Sequence, residues 1–378
     1  MRLRLVCLAS LLYDALAFVA WTVIPIRAEG MGATPLTLGL LQTASTVVYV
    51  TCCLAVGRLA DRWPKGVLAR VGCAAGIAGC FAIGTVDTLG GIFASAALLG
   101  LGASVFWPAV QGAIGAETAP ERMESALALF NFTWSLGKAL GFVVAGWMME
   151  RHGPVATIWI AAAAAAPIVL FYPWGEGSRP AGLPASPRPE RARFRAMGYA
   201  ANFAAFGAGA AFQIHFFKFL EAGGSEGSMG RKEFFGLLMG AIFGAQTLSF
   251  LVFRTGAWWT YRRAPLYAAQ VGVAAVCLAI PAAGNDLAAL ALALPLGAGL
   301  GFCYASSIYY SLHGPADHGK YAGLHEAALG TGSFLVPLAG GALAQAAGDL
   351  RLPYLLAALA MLGAVAVQER LYRTTPRS

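Results

Sequence analysis

Apolar residues occupy this chain in long blocks separated by short polar loops, and the blocks have membrane-crossing length. A helix rises 1.5 Å per residue and needs about 20 apolar residues to span a hydrocarbon core of about 30 Å. Reading for such blocks predicts twelve helices, at 5–26, 35–57, 67–87, 89–114, 126–149, 154–174, 196–220, 233–253, 264–284, 286–311, 321–346 and 351–370. The blocks are rich in Ala, Leu and Gly and lack sustained period-two alternation, so they read as helices and not as the strands of a membrane barrel.

Composition supports the same class. Of 378 residues, 58% are hydrophobic and 12% charged, and the mean hydropathy is +0.66, outside the range of an ordinary soluble domain. The positive-inside rule sets the orientation. With the N-terminus inside, only Arg27, Arg151, Arg231, Lys232 and Arg351 fall in segments on the outer side. Both termini are therefore expected in the cytoplasm, and the chain in the inner (cytoplasmic) membrane as a multi-pass protein. The same asymmetry accounts for the net charge of +8, so no nucleic-acid partner is expected. Asp14 interrupts the first apolar run, and a second span follows at once, so the N-terminus reads as a retained helix and not as a secretory signal. The seven cysteines lie in or beside apolar spans without metal-ligand spacing; neither a metal nor a cofactor is expected.

The segment 175–195, GEGSRPAGLPASPRPERARFR, has the Pro, Ser, Arg and Glu content of a solvated linker. It divides the chain into six-helix halves, 1–174 and 196–378. A shift of 195 residues superposes Leu101-Gly102-Ala103 on Leu296-Gly297-Ala298, Trp63 on Trp258, Pro120 on Pro315, Gly137 on Gly332, Gly146 on Gly341 and Gly153 on Gly348. A common register across several spans and loops is what a duplicated carrier leaves behind.

After the second span the chain reads GRLADRWPKGVL, from Gly57 to Leu68. Gly57, Leu59, Ala60, Asp61 and Arg62 match the front of the loop pattern of the major facilitator superfamily, roughly G-x-L-A-D-R-x-G-R-K-x-x-L, and Lys65 supplies a basic residue. Pro64 and Gly66 depart from its back half. With six plus six spans and a middle linker, the chain resembles that superfamily along its whole length. The resemblance implies an all-α fold of two pseudo-symmetric halves, a central cavity lined by spans one, four, seven and ten, and a half-to-half boundary at spans five and eight. It further implies that Gly57, Asp61, Arg62 and Lys65 form a conformational latch, with Asp61 meeting the facing end of span eleven. Span five carries Gly137, Gly141 and Gly146 in a stretch similar to the superfamily's antiporter motif, with Phe142 in place of its proline.

Ionisable groups inside a bilayer are costly and point to function. Asp14 lies near the middle of span one and Lys138 at comparable depth in span five, on one helical face with Asn131 and Trp134. Lys138 is expected to meet an anionic group of the substrate and Asp14 to carry a proton; a structural Asp14–Lys138 ion pair is the alternative. In span seven, Gln213 is a substrate candidate, His215 an alternative proton carrier and Lys218 an interfacial anchor. Trp107 and Gln111 in span four, and Phe302, Ser306 and Tyr310 in span ten, complete the expected substrate site. His313, Asp317, His318, His325 and Glu326 read as a cytoplasmic cluster.

The expected function is secondary active transport of a small organic solute with anionic character, coupled to protons and working by alternating access, as a monomer in membrane lipid. An exporter of amphipathic compounds by proton antiport is the rival within transport. A membrane-embedded enzyme or a non-transporting sensor is the rival outside it. No phosphate-cradling loop is present, so an enzyme activity such as ATP hydrolysis is not expected to power the cycle.

Overall fold

The computed structural model describes residues 2–60, 63–117, 123–172, 189–224, 230–253, 258–312 and 318–374, and these are helical almost throughout. The helices are α1 (Arg2–Gly30), α2 (Pro35–Ala60), α3 (Lys65–Thr85), α4 (Leu89–Glu117), α5 (Met123–Phe171), α6 (Pro189–Phe219), α7 (Arg231–Phe253), α8 (Arg263–Ala279), α9 (Asp286–Leu312), α10 (His318–Ala347) and α11 (Leu352–Thr374). Among the described residues, all eleven are long and apolar enough to cross a membrane. Helices suit that setting because each satisfies its own backbone hydrogen bonds. The outward faces are apolar, with Phe171, Leu287 and Leu170 largely exposed, whereas polar side chains such as Ser10, Thr157, Asn202 and Gln270 are buried. The chain is an integral, multi-pass membrane protein.

The separate fifth and sixth spans expected at 126–149 and 154–174 are joined in one 49-residue run, α5, which is broken at Gly153 (φ 75°, ψ 167°). Up to the break α5 runs parallel to α1: the Gly137 backbone abuts the Leu11 carbonyl and that of Gly141 the Ala15 carbonyl. Beyond it the chain returns along α3. The Trp159 ring stacks on Phe81 at 5.6 Å, and the Arg70 guanidinium donates to the Tyr172 carbonyl at 2.6 Å. Gly153 therefore reverses the chain, using a positive φ that favours glycine. Gly348, between α10 and α11, has φ 70°; it follows Gly153 by 195 residues (348 − 153), the shift at which the sequence repeats.

α6 begins at Pro189, inside the segment expected to be a solvated linker. Residues 189–195, PERARFR, have proline at the first helical position followed by strong helix formers. Arg193 and Arg195 lie over the rings of Tyr372 and Tyr321, at 4.5 and 3.7 Å.

The groups α1–α5 and α6–α11 meet at the end of the bundle where α1, α3 and α6 finish and α7 begins, and along α5 and α7 as far as the Ser135–Thr247 hydroxyl contact at 2.7 Å. At that end Lys218 Nζ donates to Glu29 Oε1 at 2.9 Å, and Arg151 approaches Glu233 at 3.9 Å. Two glycine seams support this end. In one, Gly146 and Gly236 bring α5 and α7 into backbone contact; in the other, Gly39 faces Pro337 and Leu338, and Gly341 faces Pro35, joining α2 to α10. Small residues allow this close approach where lipid supplies no hydrophobic drive between helices.

Candidate functional site

A cavity of about 240 Å³ opens between the two groups of helices, with walls from α1, α2, α4, α5, α6, α7, α9 and α10. Its volume is slightly below the usual range for drug-sized ligands and suits a small solute. The walls are mainly aromatic, including Trp21, Trp107, Trp134, Phe206, Phe243 and Tyr304. Among the described residues, its acidic and basic side chains are Asp14 from α1, Lys138 from α5 and Glu326 from α10.

Asp14 and Lys138 are 4% and 6% exposed, and each is the other's main opposing charge. Among the described residues they make neither a salt bridge nor a hydrogen bond with one another, so the ion pair weighed as the alternative is not a direct contact here. Lys138 is occupied differently. Its ammonium lies 3.6 Å from the ring centre of Phe243, 4.4 Å from Phe18 and 5.9 Å from Phe206. A desolvated ammonium over aromatic faces gains about 2 kcal/mol. Phe18 belongs to α1, whereas Phe206 and Phe243 belong to α6 and α7, so one charge ties both groups of helices together. Phe142, standing where the antiporter pattern has proline, extends the cluster by stacking on Phe243 at 5.3 Å.

Trp107, Gln111, Trp134 and Gln213 line the cavity with Asp14 and Lys138. Asn131 stands behind it, where its Oδ1 accepts a hydrogen bond from Trp134 Nε1 at 3.0 Å and orients that ring. Phe302, Ser306, Tyr310 and His215 lie elsewhere, for one geometric reason. In α9 the cavity face carries Leu300 and Tyr304; residues two positions away sit about 200° round the helix. Phe302 accordingly packs on Trp258 and Trp259. Ser306 is buried with an unpartnered hydroxyl, and the Tyr310 hydroxyl accepts the Tyr261 N–H at 3.1 Å. In α6 Gln213 faces the cavity, while His215, two residues on, donates from Nε2 to the Pro337 carbonyl at 2.9 Å. Lys218 forms the cross-bundle ion pair with Glu29 in place of an interfacial anchor.

The cluster expected in the cytoplasm divides. His313 and Asp317, with the side chain of His318, lie outside the described residues. His325 is buried between α6, α9 and α10, its Nδ1 in contact with Ser307 Oγ at 2.8 Å and Asn202 Nδ2 at 3.3 Å. Glu326 reaches the cavity, which it lines together with Tyr49 of α2. Of the expected latch, Asp61 and Arg62 lie outside the described residues, as do the surroundings of Gly57. Lys65 opens α3 and is half-buried.

Tyr49, Tyr304 and Glu326 are among the cavity residues that sequence reasoning missed. A signal was present in the helix register. Gln42, Ser45, Thr46 and Tyr49 on α2, and Glu326, Leu329, Gly330 and Ser333 on α10, line the cavity at i, i+3, i+4 and i+7, the spacing of one helical face.

A central cavity between two groups of membrane-crossing helices is the arrangement of a carrier, and the sequence places this one. The sequence model of the Major Facilitator Superfamily matches residues 6–315. The chain belongs to the Major Facilitator Superfamily. It is therefore a membrane transporter, with a small molecule as its substrate. Solved structures of this superfamily share the fold across nearly the whole chain. A bacterial homologue of the human lysosomal transporter Spinster, in an inward-facing and occupied conformation, is 14% identical with TM-score 0.74, over 97% of this chain and 96% of that one. The nucleoside transporter NupG is 15% identical with TM-score 0.70, over 97% of this chain and 99% of that one. At these identities the likeness is one of fold. A comparison with curated proteins finds no match.

Proposed function

We propose that this superfamily member is a secondary transporter that moves a small organic solute bearing an anionic group, coupled to protons. The observation that carries this reading is the cavity in which Asp14 and Lys138 face each other, both buried and without a direct bond between them. The two arms of α5 count as two crossings, giving twelve spans in halves 1–174 and 196–378 joined by 175–195. Both termini then lie in the cytoplasm and the protein in the cytoplasmic membrane. The closed end, with Lys218–Glu29 and the two glycine seams, is the outer end, so this conformation faces inward. Rocking of the halves about the cavity exposes it to each side in turn.

In the empty site the field of Asp14 is offset by Lys138. An anionic group entering the cavity competes for that ammonium and draws it from the rings of Phe243 and Phe18. Asp14 then loses its opposing charge and takes up a proton, so solute and proton move together. Each ligand favours the other through their shared use of Lys138, which is the differential binding that coupling requires.

The test uses protein reconstituted in liposomes and a panel of small carboxylates and organic phosphates. Asp14→Asn is expected to abolish accumulation driven by a pH gradient while retaining solute exchange. Lys138→Ala is expected to weaken binding of the anionic solute about tenfold or more. Accumulation by Asp14→Asn at the parent level would refute the proton role.

A further inference from the structure

The charges facing the cavity do not balance. Asp14 and Lys138 offset each other, which leaves Glu326 as a second carboxylate in an aromatic enclosure. Its neighbour on the lining is Tyr49, a neutral side chain from the other group of helices. Tyr304 stands within electrostatic reach of both Glu326 and Asp14, and its ring packs on Trp134 at 5.6 Å and Phe206 at 5.7 Å. Glu326 is half-buried, and a carboxylate drawn partly out of water without a cation carries a desolvation cost. This wall is built to receive positive charge.

An independent observation lies on the Tyr49 face of α2. Gln42 lines the cavity and is 6% exposed. Its Nε2 donates to Thr46 Oγ1 at 3.3 Å, but its Oε1 has no partner among the described residues. The wall formed by α2 and α10 thus offers a buried, unfilled acceptor and a carboxylate, beside the aromatic faces of Tyr49 and Tyr304. That set matches a protonated amine, which brings N–H donors for the oxygens and a cation for the rings. It does not match a second anionic group. The chemistry of such an enclosure is already in use across the cavity, where Phe243 and Phe18 hold the ammonium of Lys138.

We propose that Glu326, Gln42 and Tyr49, with the ring of Tyr304, form an ammonium subsite, so that the transported solute is dipolar: an anionic group at Lys138 and a protonated amine at Glu326. This rests on the reading of the cavity as the solute site and narrows the solute to the amino-acid-like class. It also makes solute binding span the two groups of helices, since Lys138 and Glu326 lie on opposite sides of the cavity in chain order, on α5 and α10.

The experiment measures binding to the full-length protein in detergent by calorimetry and thermal shift. Ligands come in matched sets over several sizes: an amino acid, the acid lacking its amine, and the amine lacking its acid. The parent is expected to bind the amino acid at least about tenfold more tightly than the matched acid. Glu326→Gln, which removes the charge and keeps the size of the side chain, is expected to remove that preference without weakening binding of the acid. Glu326→Asp should restore part of it. Equal binding of acid and amino acid by the parent would overturn the ammonium subsite and leave the anionic-solute reading standing. So would Glu326→Gln that keeps the amine preference but loses proton-driven accumulation, which would make Glu326 a proton site. Binding of no acid-bearing compound by the parent would overturn both readings.

Discussion

The seam between α5 and α7 allows a quantitative test of how the closed end is held. A methyl group added at Gly146 would lie 2.7 Å from the Lys232 carbonyl oxygen and 2.8 Å from the Gly236 Cα, both backbone atoms. Ordinary contact begins near 3.4 Å, so Gly146→Ala requires the helices to separate there by about 0.7 Å (3.4 − 2.7). Overpacking of this kind costs about 1–3 kcal/mol. The strain is relieved by opening that end, so the open-to-closed ratio is expected to rise about 5- to 160-fold. Gly244→Ala, on the facing helix α7, is the control, because its methyl would meet nothing within 4 Å. Spin labels on cysteines at Gly90 and Glu221, both exposed at the closed end, report the distance by pulsed electron resonance in a background lacking the seven natural cysteines. Gly146→Ala should populate a longer distance that the parent and Gly244→Ala lack. An unchanged distribution in Gly146→Ala would refute the claim that backbone contact at this seam holds the end closed.

At the same end, a double-mutant cycle of Lys218→Met and Glu29→Gln should give a coupling energy of about 0.2–1 kcal/mol that shrinks at high salt, because the pair is partly exposed. Coupling that is insensitive to salt would contradict this. Within α6–α11, Gly332→Ala would place its methyl 1.9 Å from the Phe203 carbonyl oxygen, so the melting temperature of the purified protein should fall by several degrees. An unchanged melting temperature would show that α6 and α10 separate without penalty.

Much of the fold was legible because the bilayer imposes a length on each apolar run, which identified helix positions without any knowledge of their packing. Gly153 shows the limit. The sequence marks it as a boundary, but only the Arg70–Tyr172 and Trp159–Phe81 contacts show the chain reversing there. For the site, Asp14 and Lys138 were identifiable because charge inside an apolar run is costly wherever it points. Aromatic and hydroxyl residues carry no such cost. The choice between Tyr304 and Phe302, or between Gln213 and His215, therefore depended on helix rotation, which the uniformly apolar spans leave undefined. Glu326 was assigned to a loop cluster because histidines and acids nearby in sequence suggested a shared surface. The helix instead turns His325 toward Ser307 and Asn202, and Glu326 toward the cavity.

The glycine seams have a mechanical consequence. Where Gly146 meets Gly236, and Gly39 meets Pro337, backbone lies against backbone, and further along the same joints Val143 seats on Gly240 and Val50 on Gly330. Such a joint leaves no room for added bulk, so it resists compression and opens by the helices parting as units. The effort of switching falls on a few discrete catches: the Lys218–Glu29 pair, the Phe142–Phe243 stack and the ammonium of Lys138 on its rings. Of these, the ammonium of Lys138 and the ring of Phe243 line the cavity, so an arriving solute acts directly on a catch.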